Sequence, residues 1–92
     1  PTAAEVSLGG RVTTADGRGI KNAVVVISGN SLAQPIMVKT GSFGYYRVDN
    51  LEAGEIYVVT VNSKRFLFTV PSRVVSVPDS VSNVDFVAMP EE

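Results

Sequence analysis

The sequence contains no cysteine and no histidine. Those two absences exclude disulfide staples, thiol chemistry, zinc sites of the Cys/His kind and every catalytic triad that uses histidine. An enzyme would have to pair a nucleophile with a base from Ser, Lys and carboxylates alone, and no motif places such residues together, so no catalytic residue is assigned. The missing cysteines do not locate the protein in either redox compartment. No apolar run approaches the ~20 residues that a membrane-spanning helix needs. No signal peptide is present, although a mature or excised fragment would have lost one. Eight Lys and Arg stand against nine Asp and Glu for a net charge of −1, and Lys64-Arg65 is the only adjacent basic pair. The scattered basic residues give no electrostatic case for nucleic acid or an anionic membrane, which favour a basic patch. Helical periodicity is nearly absent, and no internal repeat is detectable.

What the sequence does contain is 45% hydrophobic residues, too many for a disordered chain. A chain of 92 residues buries roughly 60–70% of its unfolded surface, enough for one core. Val, Thr, Tyr, Phe and Ile cluster in short runs punctuated by Gly, Pro, Asn, Asp and Ser, the pattern of an all-β sandwich or barrel. The runs are VSLGGRVT, NAVVVIS, PIMVKT, YYRV, IYVVTVN, FLFTV, RVVSV and NVDFVA. They predict seven or eight strands, all antiparallel by the shortness of most connections. In the first run Val6, Leu8, Gly10 and Val12 share one face. ADGRG is a turn with Gly17 and Gly19 free to take positive φ. Pro35 suits the first position of a strand. Residues 1–5 read as a linker or trimmed end, 6–88 as the domain and 89–92 as an exposed tail.

The segment TGSFGYYRVDNLEAGEIYVVTV, together with V-x-L-x-G-x-V, DGRGIKNAVVVI and NVDFVA, resembles the carboxypeptidase regulatory-like domain. The family spacing is met, with one added residue, by Gly44, Tyr46, Val48, Leu51, Gly54, Tyr57, Val59 and Val61. The resemblance covers Val6 to Ala88 and implies a seven-stranded antiparallel Greek-key sandwich of the prealbumin-like (transthyretin-like) kind. In that fold Tyr46, Val48, Leu51, Tyr57, Val59 and Val61 face the core, met by Ala23, Val25 and Ile27. Phe66, Phe68, Val84 and Phe86 are expected as further core. The resemblance also implies a non-catalytic accessory module of a larger secreted or cell-surface protein, often bacterial. Such a module serves as spacer, stabiliser, adhesion or assembly unit, with neighbouring domains or other copies of the same chain as partners.

Related sandwiches carry three chemistries. Hydroxyisourate hydrolases use His and a C-terminal Tyr-Arg-Gly-Ser, and this chain has neither. The isopeptide bond of surface pilins needs a Lys held neutral in an apolar pocket beside a protonated acid. The pair that could be drawn is Lys21–Asn83, although the first strand carries Arg11 in place of the reactive Lys. Calcium takes six to eight oxygens, and Asp16, Asp49, Asn50, Glu52, Glu55, Asp79 and Asp85 are oxygen donors near loops. None has a spaced ligand signature, and turn-forming Asp and Asn explain most of them. The expectation is therefore no cofactor, with calcium in the 49–55 loop the one exception left open. Phe43 and Tyr45 are the aromatics that could stack on a sugar, against the plainer reading that they pack over the sandwich end. Carbohydrate or a surface protein is the alternative partner.

One feature fits no core. Val24 and Val26 lie opposite Ala23, Val25 and Ile27, and Ile56 and Val58 lie opposite Tyr57 and Val59. If the two strands are neighbours, these four form an apolar outer patch, the mark of an interface. The plainer reading is that β-branched residues favour central strands. The β-prone runs VVVIS, IYVVTV and RVVSV are an aggregation liability at an unprotected edge.

Overall fold

The structure is a computed structural model, and it describes residues 5–30 and 32–89. Residues 1–4 of the expected linker and 90–92 of the expected tail lie outside that range. Seven strands form: β1 (Glu5–Thr13), β2 (Val24–Ser28), β3 (Ile36–Lys39), β4 (Tyr45–Glu52), β5 (Glu55–Asn62), β6 (Ser72–Val77) and β7 (Phe86–Val87). They make two facing sheets, β4-β1-β7 and β3-β2-β5-β6. The all-β sandwich expected from the run pattern is the observed fold.

Alternation explains the layers. Val25 and Ile27 of β2 and Tyr57, Val59 and Val61 of β5 are buried, as are Tyr46, Val48 and Leu51 of β4 and Val6, Leu8 and Val12 of β1. Each side chain of this class contributes about 1.5–3 kcal/mol when fully buried, so these rows supply most of the core. Ile20, Val77 and Ala88 join them, and Phe66 and Phe68 are only partly buried. In β4 the pairing steps from Val6↔Leu51 to Leu8↔Val48, so three residues of β4 oppose two of β1. Asn50 absorbs the extra residue at φ 63°, a conformation that Asn tolerates better than most side chains.

The chain changes sheets at Ala53-Gly54. Gly54 takes φ 85°, which only glycine adopts without strain, and its N–H donates to the Val77 carbonyl at 2.8 Å. Across this corner the Glu52 N–H donates to the buried Tyr57 hydroxyl at 3.0 Å. The residue added to the family spacing, between Gly54 and Tyr57, is thus taken up at the start of β5, with Tyr57 still fully inside.

Two expectations need correcting. FLFTV is not a strand: Phe68 makes a single bridge to Ala88, and residues 66–70 cross the end of the sandwich. The β5–β6 pairing closes behind the segment, with the Val61 N–H donating to Pro71 O at 2.8 Å. Residues 63–70 are therefore looped out of the ladder, and Phe66 and Phe68 serve as a partial end cap. Not every pair is antiparallel either. The β1–β4, β2–β3, β2–β5 and β5–β6 pairs are, but β7 runs parallel to β1, with Val12↔Phe86 and Thr13↔Val87 in register. The reason is where β6 stops. It ends beside Glu55, and residues 78–85 cross to the other sheet at that end, bridging Val81 to Leu8 in parallel on the way. The last strand therefore travels in the direction of β1.

Candidate interaction surfaces

The register settles how the outer residues lie. Val24 pairs with Asn62, Val26 with Thr60 and Ser28 with Val58, so β2 and β5 are neighbours and Val24, Val26, Ile56 and Val58 share one face. The face is wider than those four. Val26 is opposite Met37 of β3, and Val58 is opposite Val74 of β6. Met37 is 67% exposed and Val74 72% exposed, which makes the two edge strands its most open part. Lys39 is the charged residue at its corner, and Ser28, Thr60, Asn62, Ser72 and Ser76 fill the other positions. The alternation Ile36-Met37-Val38 and Val74-Val75-Ser76 carries this information, but only the strand order shows that the pairs Met37–Val26 and Val58–Val74 lie in adjacent rows.

Phe43 and Tyr45 are 72% and 62% exposed. Arg11 sits with its guanidinium 5.2 Å from the Tyr45 ring centre. Its Nε donates to the Phe43 carbonyl at 2.8 Å. One face of Tyr45 is thus covered by a cation–π contact, and the tyrosine alternates away from the buried Tyr46 as expected. Neither aromatic lines the two grooves described below.

In the 49–55 loop, Asp49 accepts from Arg47 Nε at 2.7 Å. Among the described residues no three carboxylates come together as a metal-ion cluster. Lys21 and Asn83 are both exposed, so neither has the apolar pocket that an isopeptide bond requires. Asp16 is held below the usual carboxylate range by the Thr14 hydroxyl that donates to it, with Arg18 adding to the effect. Burial pushes the Tyr46 hydroxyl up, and the nearby Asp85 adds to it. That hydroxyl donates to the Val84 carbonyl and ties β4 to the segment leading into β7.

The strand ends also sort charge, which the sequence does not show. A groove of about 610 Å³ at the end where β1 and β5 finish is lined by Arg18, Lys21 and Arg65. A second groove of about 500 Å³ continues from it, lined by Lys21, Lys39, Lys64 and Arg65. Among the described residues the one carboxylate in either lining is Asp16, which is bound to Arg18 at 3.6 Å. At the opposite end Glu5 stands directly across from Glu52, Glu55 opens β5 beside the end of β6, and Asp79 follows two residues later.

Known proteins show the same fold. The family model of the carboxypeptidase regulatory-like domain matches residues 7–89. No curated protein matches the chain. Among solved structures, the Bacillus anthracis TIE protein superposes with a TM-score of 0.71 at 18% identity, covering 92% of this chain and 17% of its own. A DUF3823 family protein from Parabacteroides merdae superposes with a TM-score of 0.69 at 21% identity, covering 97% of this chain and 48% of its own. The chain therefore spans less than half the length of either structure, and at these identities the likeness is one of fold. The family match, over nearly the whole sandwich and on the residues that build its core, identifies the chain as a member of the carboxypeptidase regulatory-like domain family, whose domains are non-catalytic modules.

Proposed function

We propose that this domain is a structural module of a larger secreted or cell-surface protein, acting as an in-line spacer that packs against a neighbour through the outer face of its four-stranded sheet. The carrying observation is the parallel β1–β7 pair. It makes the chain come in at Glu5 and leave past Met89 at opposite ends of the sandwich. The nine residues of β1 alone separate the two points by about 26 Å at ~3.3 Å per residue. An antiparallel last strand would have brought both points to one end and made the domain a side branch. The apolar face supports the second half of the reading, because the exposed Met37, Val74, Ile56 and Val58 and the half-buried Val24 and Val26 gather on one side of the sheet, as at an interface.

The alternative reading, adhesion through Phe43 and Tyr45, has less support, since Arg11 already covers one face of the Tyr45 ring and neither aromatic lines either groove.

The packing half is tested by a Val26→Lys, Val58→Lys double variant. Both side chains point outward, so the domain is expected to keep its thermal midpoint within a few degrees, as surface changes do. In the full-length protein the same variant is expected to expose the domain's flanks to limited proteolysis and to alter the assembly state seen by light scattering. Unchanged proteolysis and scattering would remove the outer face from the proposal.

A further inference from the structure

We propose that the two ends of this domain are complementary docking surfaces, so that the basic groove of one copy receives the acidic end of a second copy, head to tail. Three independent observations carry this. First, five of the eight Lys and Arg residues, Arg18, Lys21, Lys39, Lys64 and Arg65, line two continuous grooves at one end, with Asp16 as the only carboxylate among the described residues that line them.

Second, the opposite end gathers Glu5, Glu52, Glu55 and Asp79. Neither ion pair among the described residues, Asp16–Arg18 or Asp49–Arg47, uses any of these four. Glu5 and Glu52 are cross-strand partners, and like charges directly opposite each other destabilise a strand pair. Both carboxylates are exposed and free to meet a cationic partner.

Third, the chain runs from the acidic end to the basic end, because β1 begins at Glu5 and Met89 lines the basic groove. Copies aligned along one axis in the same direction therefore present opposite charges to each other. The contact is heterologous, joining two different patches, and such contacts propagate instead of closing on themselves. A concave basic surface meeting a carboxylate-rich end also steers the encounter over a Debye length. This inference goes beyond the spacer reading and does not use the outer apolar face, so its failure would leave that reading standing.

The experiment is sedimentation velocity on the full chain at ~10 mM and ~1 M salt, where the Debye length falls from about 30 Å to about 3 Å. The wild type is expected to form a concentration-dependent series of oligomers at low salt and to be monomeric at high salt. A basic-end variant, Lys21→Gln with Lys64→Gln, and an acidic-end variant, Glu52→Gln with Glu55→Gln, are each expected to associate at least tenfold more weakly. Mixed in equal amounts, the two variants keep one intact surface of each kind and are expected to form a dimer that grows no further. The series is repeated with Glu91→Gln and Glu92→Gln, since these two carboxylates follow Met89 in the sequence.

A chain that stays monomeric at ~10 mM salt in both backgrounds would overturn the proposal and leave the basic groove to an anionic partner of another kind. Variants that fail to associate when mixed would also overturn it. So would association that survives both charge changes but is lost in Val26→Lys, Val58→Lys.

Discussion

Gly10→Ala is expected to remove about 3–5 kcal/mol of stability, a large share of the ~5–14 kcal/mol available to a domain of this size. The Cβ it introduces would lie 1.9 Å from the Val84 carbonyl oxygen and 2.4 Å from its carbon, both backbone atoms. No rotamer change can relieve that clash. Val84 must move, and three hydrogen bonds move with it. The Val84 N–H donates to Gly9 O at 3.0 Å, the Arg11 N–H donates to Asp85 Oδ1 at 2.8 Å, and the Tyr46 hydroxyl donates to Val84 O. Overpacking costs roughly 1–3 kcal/mol and each buried group left unpaired about 1–3 kcal/mol, which together give the stated range.

The thermal midpoint should fall by at least ~12 °C, at 4–8 °C per kcal/mol for a domain of this length. Gly41→Ala is the control. Its Cβ would find nothing nearer than the Tyr45 carbonyl oxygen at 3.9 Å, and its φ is not positive. It should be neutral or slightly stabilising. Equal midpoints for the two variants would mean that residues 81–85 do not lie against β1.

Thr40→Val is expected to cost about 2–4 kcal/mol although it keeps the side-chain shape. Thr40 is the buried polar residue of the described chain, 3% exposed, at the end of β3. Its hydroxyl accepts from the Ala23 N–H at 2.9 Å and donates to the Ile20 carbonyl at 2.5 Å. Its main chain meets the same segment, with the Thr40 N–H on Ala23 O and the Asn22 N–H on Thr40 O. One residue thus satisfies the turn that leads into β2, where Asn22 takes φ 62°. Valine would leave a buried donor and a buried acceptor without partners, the costly half of losing a hydrogen bond. Thr40→Ser keeps the hydroxyl and loses only a methyl group, so it should cost about 1 kcal/mol. Urea unfolding of the three proteins separates the two effects. A serine variant no more stable than the valine variant would show that the hydroxyl does not hold this turn.

These two residues also mark the limit of what the sequence discloses. Tyr46, Val48, Leu51, Tyr57, Val59 and Val61 were legible because alternation and turn formers are local signals, and burial follows from them directly. Gly10 was legible as a core-facing position but not as a contact, because its neighbour Val84 is brought there only by the final crossing between sheets. Thr40 reads as an ordinary turn residue beside Gly41, and only its burial shows its role. Phe66 and Phe68 alternate as a strand would, yet the β5–β6 pairing closes behind them and leaves no ladder for them to join. The parallel β7 was illegible for a related reason. Short connections announce hairpins, whereas a parallel pair depends on where a distant strand happens to stop.

The candidate surfaces divide in the same way. Val24, Val26, Ile56 and Val58 follow from period two plus one assumption about strand order, which the register supports. Met37 and Val74 needed the full order of the sheet. The two charged ends are not legible from the sequence, because Arg18 and Lys21 follow β1, Lys39 ends β3, and Lys64 and Arg65 follow β5. Only the fold places them together.

The proposal that this family member works as an in-line spacer rests on Glu5 and Met89 lying at opposite ends. The direct measurement is the distance between spin labels at Glu5→Cys and Met89→Cys, read by pulsed electron resonance. With no native cysteine in the chain, the two labels report only these positions. A single narrow distribution centred at or above ~26 Å, the span of β1, is the expected result. A distribution centred well below 20 Å, or one so broad that no length is defined, would contradict a spacer of fixed span.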